Sequence, residues 1–166
     1  MRLFVAINFN NETRSALLAL RDDLRSKSIR GNFSTPENIH LTLVFLGECD
    51  RMETAAVKSA MDGIAFQPFI IEIDRIGLFR RGGGSIWWAG ARKSEQLIDL
   101  QRALTNRLIS SGFALDTRKY SPHITLGREV LTDAIPRRIP PFGETVTRIE
   151  LMKSERIDGK LTYTAI

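Results

Sequence analysis

The chain has a single cysteine and two histidines in 166 residues. A lone Cys49 excludes an intrachain disulfide and fits a reduced, cytoplasmic compartment. With so few thiol and imidazole ligands, Cys/His zinc sites and thiolate–imidazole pairs are poorly supplied, and Cys49 reads as an inert thiol in a loop or at a strand end. No apolar run approaches the roughly 20 residues that a membrane helix needs. Near the N-terminus only Leu3 to Ile7 run continuously apolar, too short for a signal-peptide core, so neither export nor membrane association is expected.

The rest of the composition is ordinary. Hydrophobic residues at 43% and charged residues at 26% exclude disorder, collagen and coiled coil, and the length suits one domain spanning residues 1–166. The net charge is +5, and six Lys leave 18 of the 24 basic residues as Arg. The planar fork of Arg matches phosphate oxygens, so the balance is compatible with a nucleotide or nucleic acid without identifying one.

Alternating and stripe patterns predict the elements. Leu3 to Phe9 reads as a strand. A helix follows from Asn11 to Arg25, capped by Asn10 or Asn11, with Leu17, Leu20 and Leu24 on one face. Ser34 to Asn38 is a turn, and Ile39 to Leu46 a strand ended by Gly47. Asp50 and Glu53 have capping-box spacing ahead of a helix to Met61, stopped by Gly63. Phe69 to Phe79 and Ile86 to Ala91 are strands about a basic glycine turn, where Arg80 and Arg81 read as an exposed loop. Ser94 to Ser110 is a helix with Leu97, Leu100, Leu104 and Leu108 on one face. Tyr120 to Leu126 is a strand, Ala134 to Phe142 a proline-rich loop, and Val146 to Ser154 and Leu161 to Ile166 a closing pair of strands.

The two histidines, His40 and His123, lie 83 residues apart, half the chain length. At that offset strand falls on strand, helix start on helix start, and Thr42 on Thr125. Both contexts read His-apolar-Thr-apolar: His40-Leu41-Thr42-Leu43 and His123-Ile124-Thr125-Leu126. With 12 Thr in the chain, two such coincidences arise by chance in about one chain in 200. The strand period of two puts His and Thr on one face and anchors the apolar residues on the other. Two lobes would then each offer an imidazole and a hydroxyl to one space. A pair of imidazoles titrating near neutrality suits a base and an acid on opposite sides of a phosphorus centre, with the hydroxyls on its non-bridging oxygens. The rival, a two-histidine metal site, has no evident third ligand beside either motif.

Three stretches, MRLFVAI, PENIHLTLVFLGE and YSPHITLGR, resemble the two-histidine (2H) phosphoesterases, and within them the bacterial and archaeal RNA 2',3'-cyclic phosphodiesterases once described as 2'-5' RNA ligases. The resemblance runs from Met1 to at least Arg128. It implies a bilobal α+β fold of pseudo-twofold symmetry, with two antiparallel-type sheets flanking a central cleft and helices outside. It implies a metal-independent enzyme with no cofactor, which opens a 2',3'-cyclic phosphate end of RNA or of a nucleotide to a 2'-phosphate. In it His123 is the base that activates water, His40 the acid that protonates the departing 3' oxygen, and Thr42 and Thr125 hold phosphate oxygens. Arg128, where the family often carries a basic residue, would contact phosphate or base if Gly127 turns it into the cleft. Phe45 would stack on the terminal base or serve the core. A monomer is expected. Ligation on the same site and a non-catalytic RNA-binding module are the alternatives. Water in large excess disfavours the first, and two matched imidazoles, which binding alone does not need, disfavour the second.

Overall fold

A computed structural model describes residues 1–166. Strand β1 (Arg2–Ile7) leads into helix α1 (Asn11–Ser26), whose first turn is capped by Asn10, the side-chain oxygen accepting from Thr13 N at 2.9 Å. Strand β2 (Ser28–Phe33) and a 3-10 turn at Pro36–Asn38 bring the chain to β3 (Leu41–Glu48). Helix α2 (Arg51–Asp62) starts on the expected capping box, in which Asp50 and Glu53 each accept the other's backbone N–H at 2.8 Å. The hairpin β4 (Phe69–Phe79) and β5 (Ser85–Ala91) precedes helix α3 (Glu95–Ser110). Strands β6 (His123–Thr132), β7 (Arg137–Val146), β8 (Glu150–Ile157) and β9 (Lys160–Ala165) complete the chain.

The strands form two antiparallel sheets, ordered β3-β1-β8-β9 and β2-β6-β5-β4-β7. In each sheet the strand following a histidine or beginning at one lies against the first strand of its own lobe, β3 on β1 and β6 on β5. The 83-residue repeat therefore matches β1 with β5, α1 with α3 and β3 with β6, with β2 an insertion in the first half that has no counterpart in the second. Beyond that point it fails, because β3 is followed by helix α2 and β6 by strand β7.

Alternation divides the sheet faces. Leu3, Val5 and Ile7 of β1 join Trp87, Ala89 and Ile124 of the other sheet in one cluster of 29 buried residues. The leucine stripes of α1 and α3 enter the same cluster. Helix α1 packs on β2, β6 and β7, in the sheet that its own preceding strand does not join. Phe4 and Ala6 point away from this core, toward Met152 and Tyr163. The helices thus cover one face of the sheets and leave the other for the histidines.

One expectation is overturned, and two details were not legible. The proline-rich segment from Ala134 to Phe142 is not a loop: most of it lies in β7, an edge strand on β4. Pairing runs through Arg137 and Arg138, shifts register, and resumes at Phe142, so Pro140 and Pro141 fall where the ladder is interrupted. Strand β2 was not legible, because its residues are nearly all exposed and show no alternation. Gly63 does end α2, but at φ −83°, not in the left-handed region. Its lack of a side chain makes room for the Arg107 guanidinium of α3.

The β4–β7 junction also needs a glycine. A Cβ on Gly143 would meet the carbonyl oxygen of Ile71 across the ladder, and backbone cannot give way as a side chain does. Gly143→Ala should cost about 1–3 kcal/mol, the range for overpacking, read as a lower urea midpoint with an unchanged m-value.

Candidate active site

His40 sits just before β3 and His123 opens β6. The same local device holds both rings. Nδ1 of His40 donates to the carbonyl oxygen of Asn38 at 2.7 Å, and Nδ1 of His123 to that of Ser121 at 2.7 Å. A carbonyl can only accept, so each Nδ1 carries a proton and each neutral ring keeps its lone pair on Nε2. The Thr42 hydroxyl donates to Nε2 of His40 at 2.9 Å. Nε2 of His123 has no partner within the chain.

Each imidazole also rests in an aromatic cage. His40 lies 4.8 Å from the Phe4 ring and 5.1 Å from Tyr163, the latter edge-on at 87°. His123 lies 5.1 Å from Phe79, also edge-on at 87°, and 6.3 Å from Trp88. Gly77 sits under Trp88, where a Cβ would run into the indole. The composition carried a signal for one of these rings. Trp87 and Trp88 are adjacent on a strand and must point to opposite faces, so one of them had to share the histidine's face.

One-residue bulges place the next side chains. In β3 the register against β1 passes from Thr42 to Val44 and skips Leu43, so Phe45 returns to Thr42's face. In β6 the register against β5 passes from Thr125 to Gly127 and skips Leu126, so Arg128 returns to Thr125's face. The bulge, not Gly127 alone, turns Arg128 toward the cleft. Phe45 is 53% exposed, which removes the core alternative, and the Arg2 guanidinium lies 5.0 Å above its ring. Arg81 covers Phe79 in the same way at 5.9 Å, from an exposed loop.

Electrostatics bring the two half-sites together. Burial lowers the pKa of His40, the Asn38 carbonyl opposes this, and the charges of His123 and Arg128 lower it further. Burial likewise lowers His123, opposed by the Ser121 carbonyl and reinforced by Arg128. Arg128 has no acidic partner, so its charge is free to act on both rings and on an incoming anion. No three His, Cys, Asp or Glu side chains gather anywhere as a metal site. A separate cavity of about 420 Å³ opens between Asn8, Arg14, Glu144 and Arg148, with neither histidine in its lining. Cys49 is buried, and burial raises its thiol pKa away from the thiolate.

The chain is 32% identical to the RNA 2',3'-cyclic phosphodiesterase of Escherichia coli, over 99% of this chain and 93% of the relative. It is 31% identical to the protein of the same name from Archaeoglobus fulgidus, over 89% of this chain and 80% of the relative. The LigT like Phosphoesterase family model matches residues 7–88. The chain belongs to the LigT-like phosphoesterases. The family model takes in His40 and Thr42 and stops before the second motif, whereas the alignments to relatives run over most of the chain. The fold agrees over nearly its whole length with two crystal structures. Escherichia coli LigT complexed with 3'-AMP superposes with a TM-score of 0.85 at 29% identity, covering 99% of this chain and 94% of that one. TT0787 of Thermus thermophilus superposes at 0.81 with 27% identity, covering 100% and 95%. The bilobal two-sheet architecture is thus that of the LigT-like phosphoesterase fold.

Arg128→Gln should raise the pKa of both imidazoles, because it removes a positive charge that disfavours their protonation; NMR titration of the ring resonances reads this directly. A second consequence concerns stability. Both folded pKa values lie below the ordinary 6.5. The stability these rings contribute is therefore present above about pH 6.5 and lost as pH falls through the unfolded value toward the folded ones. The thermal midpoint should drop between pH 7 and pH 5.

Proposed function

We propose that the chain is an RNA 2',3'-cyclic phosphodiesterase, acting as one domain over residues 1–166. Its substrate is a 2',3'-cyclic phosphate at an RNA end or on a nucleotide. The observation that carries the reading is the matched pair of imidazoles, each with its Nδ1 proton tied to a backbone carbonyl; Nε2 of His123 is unpartnered and Nε2 of His40 meets only the hydroxyl of its own motif's Thr42. The relatives' shared activity supports it.

Water attacks phosphorus while Nε2 of His123 takes its proton. The bond from phosphorus to the 3' oxygen breaks, and Nε2 of His40 gives that oxygen a proton. The products are a 2'-phosphate and a free 3'-hydroxyl. The division of labour follows the asymmetry of the two rings. His123 has an unpartnered Nε2 open to water, while His40 is held deeper, between Phe4 and Tyr163. Thr42, Thr125 and Arg128 supply donors and charge for the non-bridging oxygens as negative charge develops there. These groups supply acid, base and charge stabilisation, which leaves no step that needs a metal. Phe45, exposed beside Arg2, offers a platform for the terminal base. Both half-sites come from one chain, which supports a monomer. No helix is long and apolar enough to cross a membrane. The single, buried cysteine fits a cytoplasmic setting.

The test is turnover of a nucleoside 2',3'-cyclic phosphate and of an oligonucleotide with that end, in EDTA. A 2'-monophosphate product is expected. His40→Ala and His123→Ala should each lose at least ~10²-fold in rate, the scale of general acid–base catalysis, with the fold retained. Loss of all activity to the chelator would defeat the metal-free route, and two near-fully active alanine variants would defeat the assignment of the pair.

The lowered pKa values give a further expectation. In the free enzyme both rings are mostly neutral at pH 7, and the anionic substrate offsets Arg128 and favours a proton on His40. The optimum of kcat, which reports the bound state, should therefore lie at higher pH than that of kcat/KM.

A further inference from the structure

We infer that the hydroxyl of Tyr163 is a substrate contact on the His40 side of the cleft, donating a hydrogen bond to an oxygen of the terminal cyclic phosphate or its ribose. The inference rests on the proposed function and adds a residue from strand β9, outside either histidine motif.

Tyr163 meets two rings at once. Its ring lies 5.0 Å from Phe4 at 75° and 5.1 Å from His40 at 87°. Asn38 fixes its place. The Asn38 side-chain oxygen accepts from Tyr163 N at 3.3 Å, and its amide donates to the carbonyl oxygen of Leu161 at 2.8 Å. The backbone carbonyl of that same residue holds Nδ1 of His40 at 2.7 Å. One asparagine thus couples strand β9 to the imidazole, so Tyr163 and His40 keep a fixed relation.

The hydroxyl itself has no partner in the chain. It is left to solvent or to a ligand, and a tyrosine that served only as a ring could be a phenylalanine. The other half-site makes that comparison directly, since the ring edge-on to His123 is Phe79. The positive charges of Arg128 and Arg2 both reach the Tyr163 phenol and favour negative charge there, against the effect of its burial. A free donor beside the His40 imidazole, in the positive field of Arg128 and Arg2, fits an anionic oxygen.

Two substitutions separate hydroxyl from ring. Tyr163→Phe keeps the aromatic cage, so its thermal midpoint and the pH limbs of kcat/KM should match wild type. Its kcat/KM for a nucleoside 2',3'-cyclic phosphate should fall about tenfold, the loss of one hydrogen bond to a charged group. Tyr163→Leu removes the ring as well and should also shift the limb assigned to His40 toward higher pH, because the imidazole loses cover. A Tyr163→Phe variant with wild-type kcat/KM, alongside active wild type, overturns the inference and leaves the functional reading standing. Wild type that fails to turn over the cyclic phosphate removes both.

Discussion

The site depends on two places where a strand carries one residue too many. At Leu43 and at Leu126 the ladder slips, and the carbonyls around each slip must find donors elsewhere. In the first lobe the Tyr120 hydroxyl donates to the Thr42 carbonyl at 2.8 Å, and the Gln101 amide to that of Leu43 at 3.3 Å. In the second, the hydroxyl of Ser34 donates to the Thr125 carbonyl at 2.8 Å and its backbone N–H to that of Leu126 at 2.9 Å. The donors to Thr42 and Leu43 come from the second half of the chain, and Ser34 comes from the first. Each motif is held in shape by residues from the opposite half, so neither half-site is set by its own lobe alone. The slipped strands then turn Phe45 and Arg128 onto the faces that bear Thr42 and Thr125, where unbroken strands would have sent them into the opposite faces.

Much of this was legible in the sequence, for identifiable reasons. The helices declared themselves through caps and leucine stripes, and the strands of the core through alternation. The histidine–threonine pairs were legible because their period and their spacing agree. What escaped was set by tertiary pairing. Strand β2 has almost no buried side chain to leave a pattern, and β7 hides behind prolines that its edge position tolerates. The aromatic cages escaped because Phe4, Phe79, Trp88 and Tyr163 come from β1, β4, β5 and β9, and no local spacing links them. Arg128 and Phe45 were named, but their direction turned on bulges that the sequence does not announce.

The cages set the electrostatic character of the cleft. They strip water from both imidazoles, and Arg128 adds a charge that opposes protonation of either. Left alone, such a site holds two neutral rings and an unsatisfied cation. That is a poor resting state for an acid and a good one for capturing an anion. Under the proposed function, binding and proton placement would become one event, since a negative charge drawn to Arg128 would offset the charge that lowers both imidazoles.

Strand β7 has a consequence of a different kind. It is the outer rim of the five-stranded sheet, and a rim of unpaired backbone groups invites a foreign strand to add itself. Pro140 and Pro141 remove two N–H donors there, and the slip beside them breaks the straight line along which another chain could lie. Arg137 and Arg138 add positive charge at the strand's start. The segment that looks least like a strand in the sequence is thereby the one whose outer edge offers a foreign strand the fewest donors and the most charge.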